Sequence, residues 1–545
     1  MPNPLWRFRT SLLPGLGIAV GLLVLAGAVL GVLFATAGPG TFALPDRRIL
    51  SLLRFTLLQA TLSTVLSLLI GTVLAWSLVH QPRFRGRSIF IALLASSLVL
   101  PTLIVAFGIL TVLGNHGWLN RLLELATGHA LGGFVYGLGG ILIAHVYLNA
   151  SFASMGILRA LESVPVEKYR LARSLGLSPW RRFWLVEWVA IRSTLPALGA
   201  TIFLLCFSSF AIVLLLGGSP AYNTLEVAIY EAVRIDFDLP YALRLAMIQL
   251  GISVMLVLLT ARLPGGTTNL KAPARPLPWP DPLPWRLTQR GVLTVLGVLY
   301  LLPLIAIVID GLAADLPDLL TRPLFLRSLG MSLGIATVSM VLTLILSLGL
   351  ADARRHFDLP YRLPRTPLFA MLRLLVTCSG NLYLAIPSLI LGLGFFLLAR
   401  QLGGSMQGWA LAAIVTANVL MALPFALAVL VPAMQRTARR YDRLVFSLGL
   451  TWWQRGRYAE WPYLRRSLAY IAALSFALSL GDLGVVALFG NREITTLPWY
   501  LYGLMGSYRT ADAAGVALVL LLMVGALFFV VHYEKKPKDP HAPRR

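Results

Sequence analysis

Ser174-Leu175-Gly176-Leu177 recurs as Ser447-Leu448-Gly449-Leu450 in this chain of 545 residues. The two copies belong to a longer repeat, because other short matches occur at the same offset or close to it. These matches pair Phe152-Ala153 with Phe425-Ala426, Glu187-Trp188 with Glu460-Trp461, Arg192 with Arg465, Pro101 with Pro387, and Gly108 with Gly394. Self-similarity at an almost constant spacing is typical of a chain built from two copies of one structural unit. The repeat therefore predicts two halves of similar fold.

The amino-acid composition places both halves in a membrane. Hydrophobic residues make up 58% of the chain, charged residues only 12%, and the mean hydropathy is +0.79. A bilayer core about 30 Å thick requires roughly 20 apolar residues per helix. Twelve segments meet this requirement: 12–35, 56–79, 89–113, 138–158, 193–216, 241–261, 291–309, 329–351, 374–399, 409–431, 467–489 and 513–531. We predict an all-α polytopic membrane protein with six helices in each half, and we count the first segment as a retained span rather than a signal peptide.

Basic residues are concentrated on one predicted side of the membrane. The chain has 46 Lys and Arg residues against 22 Asp and Glu, and most of the basic residues fall on the side of the N-terminus. Because basic loops mark the cytoplasmic face, we expect both termini in the cytoplasm. The net charge of +24 then needs no nucleic-acid partner. Cys206 and Cys378 lie far apart in apolar runs, so we expect neither a disulfide nor a metal site.

The predicted spans also define the domain organisation. The first unit covers residues 1–262, the second covers 290–533, and residues 534–545 form a basic cytoplasmic tail. Seven prolines lie within 264–284, so we expect residues 263–289 to be a non-helical cytoplasmic linker. An even number of spans gives both units the same orientation, and such parallel repeats enclose a pathway between them. Transport across the membrane is therefore the favoured class of function.

Two loops carry the clearest part of the repeat, and they cover residues 162–192 and 432–466. Each is predicted to contain a short amphipathic helix that ends at a glycine, Gly176 in the first loop and Gly449 in the second. Basic loops can serve only to orient a membrane protein. Orientation requires charge but no fixed Ser-Leu-Gly pattern, so duplication of that pattern favours helices that dock onto a partner.

These loops resemble the cytoplasmic loops of ABC importer permeases, which carry a Glu-Ala-Ala sequence followed by three residues and a glycine. At the Glu-Ala-Ala positions this chain has Arg170-Leu171-Ala172 and Arg443-Leu444-Val445, so the family glutamate is replaced in both loops. The resemblance implies the type I importer permease architecture. It also implies that both segments, with Gly176 and Gly449, are coupling helices that bind two copies of an ABC ATPase.

The chain itself lacks the usual sequence for binding ATP. None of its five lysines follows a glycine, so it has no Gly-Lys-Ser/Thr phosphate-binding loop. ATP and Mg²⁺ are therefore expected on the partner ATPase subunits. This chain is expected to bind no cofactor and to be no enzyme.

Three segments near the end of the chain, 481–491, 496–502 and 506–509, are similar to the permeases of thiamine ABC importers. The likeness extends over nearly the whole chain. It implies a multi-pass protein of the bacterial inner membrane that translocates thiamine and its phosphate esters, delivered by a periplasmic thiamine-binding protein. Fused permeases also serve ferric-iron importers, so iron is an alternative substrate. A twelve-span secondary transporter is a further alternative, although it gives the repeated loops no role.

Few ionisable residues fall inside the predicted spans. Asp482 is the one clearly intramembrane carboxylate, and we expect it in the translocation pathway, where it would attract the positive thiazolium ring. It lies between Gly481 and Gly484, so a structural role at a helix break is the alternative. Pro101 and Pro387 are expected to kink two spans and shape the pathway, or else to serve packing alone.

The loop after the fifth predicted span is acidic. It carries Glu226, Glu231, Asp236 and Asp238. Together with its counterpart at 491–509, this loop is a candidate contact for the binding protein. Exposed acidic residues are usually only solvated, which is the alternative.

Overall fold

The structure, a computed structural model, consists of α-helices joined by short connections. It describes residues 5–38, 45–97, 99–129, 132–218, 222–261, 281–359, 366–403, 405–490 and 493–533. Within these ranges no β-strand occurs, and twelve helical segments are long and apolar enough to cross a membrane. The predicted fold class, an all-α polytopic membrane protein with twelve spans, is confirmed. The predicted tail and residues 263–280 of the predicted linker lie outside the described residues.

The first unit contains helices α1 to α12. They are α1 Leu5–Thr36, α2 Arg47–His80, α3 Arg87–Ser96, α4 Thr102–Leu113, α5 Trp118–Thr127, α6 Leu138–Glu162, α7 Val166–Ser174, α8 Pro179–Arg182, α9 Trp188–Phe207, α10 Ala211–Leu216, α11 Leu225–Arg234 and α12 Leu239–Ala261. A π-helical segment, Phe183–Glu187, connects α8 to α9. The segment from α7 to the start of α9 forms the first repeated loop.

The second unit contains helices α13 to α23. They are α13 Leu283–Ala313, α14 Leu316–Thr321, α15 Pro323–Asp358, α16 Pro367–Asn381, α17 Ser388–Leu402, α18 Met406–Ser447, α19 Trp452–Gln454, α20 Trp461–Leu480, α21 Gly484–Phe489, α22 Leu497–Gly506 and α23 Thr510–Tyr533. A 3₁₀ turn, Leu382–Leu384, follows α16, and a π-helical segment, Arg455–Glu460, connects α19 to α20.

Matching positions make matching contacts in the two units. The first backbone N–H of α11, at Leu225, donates to Thr56 Oγ1 of α2 over 3.1 Å. The first N–H of α22, at Leu497, donates in the same way to Ser332 Oγ of α15 over 2.7 Å. The N–H groups of a helix's first turn have no partner within the helix, so a hydroxyl from a neighbouring helix fixes both helix starts. The internal repeat is thus visible in side-chain contacts as well as in the sequence.

The first helix of each unit packs extensively against the other unit. α1 contacts α15, α16 and α17, whereas α13 contacts α2 and α4 as well as α23. Two matched glycines make these contacts close. A Cβ on Gly108 would lie 2.9 Å from Pro303 O of α13, and a Cβ on Gly394 would lie 2.4 Å from Val29 Cγ1 of α1. Because each unit packs its first helix against the other unit, α1 and α13 interlock the two units.

Four of the predicted spans are each divided into two helices. The predicted spans 89–113, 193–216, 374–399 and 467–489 correspond to the pairs α3 and α4, α9 and α10, α16 and α17, and α20 and α21. The prediction that Pro101 and Pro387 kink continuous helices is wrong, because each immediately precedes a new helix and has ψ above 120°. Proline has no N–H and its ring obstructs the preceding turn, so it fits the start of a helix better than its interior.

Proline also explains two other differences from the sequence-based expectations. α13 begins at Leu283, inside the segment predicted to be non-helical, because Pro284 occupies the first turn, where a helix needs no N–H. Pro165 separates α6 from α7 in the first unit. The second unit has Ala438 at the corresponding position, so the separate short helix expected there is instead the end of the 42-residue helix α18.

Candidate functional sites

The repeated loops lie at one end of the helix bundle, which we call the loop end. There α7 and α18 finish in the same hydrogen-bonded turn. In the first unit Leu177 N–H donates to Ala172 O over 3.0 Å, and the second unit has the equivalent bond of 3.2 Å. This arrangement is a Schellman motif, which places a left-handed residue directly after the helix. Gly176 and Gly449 occupy that position with φ angles of 63° and 62°.

Both helix ends present apolar side chains to solvent. In the first unit Leu171 and Leu175 are 59% and 66% exposed. In the second unit Leu444, Phe446 and Leu448 are between 53% and 64% exposed. Exposed apolar groups clustered at a helix end form a surface that suits the groove of a partner.

The other predicted coupling residues divide between two faces of these helices. Arg170 and Arg443 are exposed beside the apolar side chains. Ala172 is buried together with Tyr169, and Val445 is half-buried. One face therefore points outward and the other joins the helix to its own unit.

Each repeated loop continues into a π-helical segment that pairs an arginine with a glutamate. Arg182 Nε donates to Glu187 Oε1 over 3.0 Å, and Arg455 Nε lies 2.9 Å from Glu460 Oε1. The partners are five residues apart, a spacing that separates side chains on an α-helix but that the wider π-helix brings together. Sequence reasoning noted both glutamates and missed both arginines. The repeat offset could have found the arginines, since Arg455 matches Arg182.

Glu187 is the centre of a buried polar cluster in the first unit. Trp76 Nε1 donates to its Oε2 over 2.8 Å, and His80 Nε2 lies 3.1 Å from its Oε1. Arg182 also donates to both carboxylate oxygens of Asp281, over 2.7 and 3.2 Å. Burial alone would raise the pKa of Asp281, but the hydrogen bonds from Arg182 and the nearby positive charge bring that pKa below its ordinary value. Asp281 is therefore an ionised carboxylate that pairs with the Arg182 guanidinium.

The second unit has a corresponding cluster made from its own residues. Arg355, which is 1% exposed, pairs with both Asp352 and Glu460. Arg455 lies within salt-bridge distance of the same two carboxylates. A buried ion pair tolerates the loss of water only when each charge keeps its partners. The two clusters therefore hold the repeated loops firmly against α2 and α15.

The three residues predicted for the pathway lie close together where the two units meet. Asp482 lies in the break between α20 and α21. A Cβ on its neighbour Gly481 would lie 2.7 Å from Pro101 Cβ. A Cβ on Gly484, the first residue of α21, would lie 2.6 Å from the Oγ of Ser388, the residue after Pro387. The break in α20–α21 thus contacts the breaks that follow α3 and α16.

The two oxygens of Asp482 have different surroundings. Oδ1 accepts the N–H of Gly484, the first residue of α21, over 3.1 Å. Oδ2 is buried and has no hydrogen-bond partner among the described residues. The first contact agrees with a structural role at a helix break. The second leaves a buried acceptor that a cationic or hydrogen-bonding ligand could satisfy.

A cavity of about 80 Å³ lies between the two units beside this break. Its lining includes Thr201, Ser208, Ser253, Tyr383, Ser388 and Phe425. Hydroxyl groups and aromatic rings suit a flat cationic ligand. Small-molecule sites have volumes of roughly 300 Å³ or more, so this cavity is smaller than a typical ligand site.

The acidic loop after the fifth predicted span is largely a helix, α11. Glu226, in its first turn, is fully buried rather than exposed, and Gln249 Nε2 donates to its Oε1 over 3.0 Å. Burial raises the pKa of Glu226 to about 8, more than the Gln249 hydrogen bond lowers it. Asp236 and Asp238 are exposed. Of this acidic group, these two residues are therefore the better candidates for contact with another protein.

α11 also ties the first unit to the second at the end opposite the loops, which we call the far end. Arg234, its last residue, donates to Gly490 O over 2.8 Å, directly after α21. A positive charge at a helix C-terminus is favourable because the last carbonyl groups have no partner within the helix. The matching helix α10 is held within its own unit, where Gly137 N–H donates to Leu216 O over 2.6 Å.

Comparison with known proteins gives a consistent result. Residues 368–538 match the family described as binding-protein-dependent transport system inner membrane component. The thiamine transport system permease protein ThiP of Salmonella typhimurium is 41% identical over 534 residues, which are 96% of each chain. ThiP of Escherichia coli is 40% identical over 97% of this chain and 98% of its own, and ThiP of Brucella abortus is 37% identical over 94% of both.

These comparisons confirm the resemblance found in the repeated loops and in segments 481–491, 496–502 and 506–509. They favour neither the ferric-iron permeases nor the secondary transporters. Because the identity extends over nearly the full length of each relative, this chain belongs to the thiamine transport system permease proteins, the inner membrane components of binding-protein-dependent ABC importers.

Proposed function

We propose that this chain forms the transmembrane pathway of an ATP-driven importer for thiamine and its phosphate esters. The observation that carries the proposal is the pair of matched helix ends at Gly176 and Gly449, with exposed apolar side chains, on a chain similar to thiamine permeases over nearly its full length. Two equivalent docking helices fit two copies of an ABC ATPase subunit. Those subunits bind ATP and Mg²⁺ and hydrolyse ATP, and this chain needs no cofactor of its own.

In this proposal the loop end faces the cytoplasm and the far end faces the periplasm of a bacterium. The excess of basic residues in the predicted loops on the side of the N-terminus supports this orientation, with both termini in the cytoplasm. A periplasmic thiamine-binding protein docks on the far end, where α11 and α22 lie and where Asp236 and Asp238 are exposed.

Transport then proceeds by alternating access between the two sides of the membrane. ATP-driven closure of the ATPase subunits brings the two coupling helices together. The Arg182–Glu187 and Arg455–Glu460 pairs transmit this movement to α2 and α15. Short helices that follow a break in a span, such as α10 and α21, then separate at the far end to admit the substrate. ATP hydrolysis returns the permease to the state that is closed at the far end.

The pathway in this proposal runs past Asp482, Pro101 and Pro387. The unpartnered carboxylate oxygen of Asp482 attracts the thiazolium charge, and the rings of Tyr383 and Phe425 add cation–π contacts. One acid and two rings lower the barrier to passage but form no enclosing site. Selection among thiamine and its phosphate esters therefore rests with the binding protein.

Uptake into proteoliposomes tests this proposal. The vesicles contain the permease and its ATPase with ATP inside, and labelled thiamine is presented outside on the binding protein. We expect accumulation of thiamine that depends on ATP. A second arm offers ferric iron on its own binding protein, and a third replaces ATP with an ion gradient. Uptake of iron alone would overturn the substrate, and uptake driven by the ion gradient without ATP would overturn the class of transporter.

A further inference from the structure

The buried cluster at the base of the first repeated loop includes residues from outside the first unit. Asp281 lies directly before α13, the first helix of the second unit, and both of its carboxylate oxygens contact Arg182. Gln289 of α13 donates to the same carboxylate over 2.8 Å and accepts a hydrogen bond of 2.8 Å from Gln81, the residue directly after α2. Asp281, Gln289 and Gln81 are all buried, so these contacts are shielded from water.

The second unit shows which position lacks an acid in the first. His80 and His356 are equivalent, since the Nδ1 of each contacts the carbonyl oxygen four residues earlier in its helix. Those carbonyl groups belong to Trp76 in α2 and Asp352 in α15. The first unit therefore has tryptophan at the position where the second unit has aspartate.

Asp281 supplies the charge that this tryptophan does not. In the second unit, Asp352 lies within salt-bridge distance of Arg455, at 3.6 Å. Arg182 is the counterpart of Arg455, and its bidentate partner is Asp281. The carboxylate thus has the same role in both clusters, but in the first cluster it comes from the segment that leads into the other unit.

The first coupling helix depends on side-chain contacts more than the second does. α18 runs without interruption into its coupling segment, so backbone hydrogen bonds connect that segment to the bundle. Pro165 separates α7 from α6. Tyr169 of α7 is buried beside the cluster, where burial and the Glu187 charge raise its pKa. Movement of α7 therefore passes through this cluster.

We propose that Asp281 is a positioning residue that fixes the first coupling loop to α13, so that the loop and the first helix of the second unit move as one body. The proposal rests on the proposed function, in which an ATPase subunit drives the loop. α13 packs against α2, α4 and α23, so a movement at the first loop reaches both units at once.

Transport assays of the complete importer in proteoliposomes test the proposal. Asp281→Asn should raise the ATP hydrolysed per thiamine imported about tenfold, because the loop moves without carrying α13. Asp281→Glu keeps the carboxylate and should stay within twofold of wild type. Asp315→Asn removes an exposed acid two residues after α13 and is the matched control, with no expected change because asparagine caps α14 as well as aspartate does. An unchanged ratio in Asp281→Asn would overturn the proposed transmission.

Hydrogen–deuterium exchange of the purified permease alone gives a readout that needs neither ATPase nor substrate. Exchange in segment 166–187 should be about tenfold faster in Asp281→Asn and unchanged in Asp281→Glu and Asp315→Asn. Equal exchange in Asp281→Asn and wild type would overturn the proposal that Asp281 fixes the first coupling loop to α13. If Asp281→Asn does not insert, Gln289→Leu, which removes one hydrogen bond to Asp281, should show both effects at about threefold. Failure of wild type to import thiamine would refute the proposed function. The exchange result would still show whether Asp281 fixes the first coupling loop to α13.

Discussion

Replacement of Gly176 or Gly449 by alanine should weaken the binding of the ATPase subunits. Both glycines have left-handed backbone angles, φ 63° and 62°, which disfavour a residue with a Cβ by roughly 1–2 kcal/mol. No described residue lies within 4 Å of a Cβ at either position, so alanine adds strain without a clash. If the helix must keep this turn to dock, the strain appears in the binding free energy. A loss of 1–2 kcal/mol corresponds to a Kd roughly 5- to 30-fold weaker.

The Kd is measured by titrating the purified ATPase subunit against the permease in lipid nanodiscs. Asparagine tolerates left-handed angles better than alanine, so Gly176→Asn should fall between wild type and Gly176→Ala. Gly128 is the matched control, because it ends α5 with φ 72° and no described residue lies within 4 Å of its Cβ position. Gly128→Ala should leave the Kd unchanged. The reasoning is refuted if both coupling-loop alanine variants bind like wild type, or if Gly128→Ala weakens binding equally.

Three further substitutions test helix packing, the buried charges and the far end. Gly15→Ala should lower the permease's stability by about 1–3 kcal/mol, because its Cβ would lie 2.4 Å from Gly349 O. Gly17→Ala on the same helix meets no described residue within 4 Å and should not, so equal Tm values in detergent would contradict the prediction. Arg355→Met should destabilise by about 3 kcal/mol in denaturant titration, since two half-buried carboxylates lose their buried arginine partner; an unchanged midpoint would argue against it. The pKa of Glu226 rises from 4.5 to about 8 on folding, so wild type should lose stability as pH rises across that range, and Glu226→Gln should show a flatter Tm profile; parallel profiles would refute this.

Hydropathy and the repeat predicted the fold class and the number of spans, but they did not predict where helices break. The predicted span 467–489 has one charged residue, Asp482, and is otherwise mostly apolar, yet α20 ends at Leu480 and α21 begins at Gly484. The free energy of transfer into a membrane depends on apolar content, which is the same for one long helix and for two short ones. The breaks are stabilised by contacts between units, such as Gly481 against Pro101, and these contacts leave no periodic signal in the sequence.

The same distinction applies to the candidate sites. A Schellman turn depends on a few consecutive residues, so Gly176 and Gly449 could be placed from the sequence. The clusters behind these turns depend on tertiary structure. Arg182 meets Glu187 only because the intervening turn is a π-helix, and Asp281 joins them from a proline-rich segment nearly a hundred residues further along the chain. A prediction that assumes regular α-helices places Arg182 and Glu187 on different helix faces and Asp281 in a linker.

Fusion of two units into one chain permits contacts that a dimer of identical subunits could make only in pairs. In such a dimer, a two-fold axis repeats every contact across the interface. Arg234 of α11 binds Gly490 O of the second unit, but Gly506 stands at the matching position of α22 and has no side chain to return the contact. Asp281 likewise serves the first cluster, whereas the second cluster has Asp352. The fused chain thus has contacts between its units, at both ends of the bundle, that have no symmetric counterpart. Two equivalent partners at the loop end would therefore act on two units that are not equivalent.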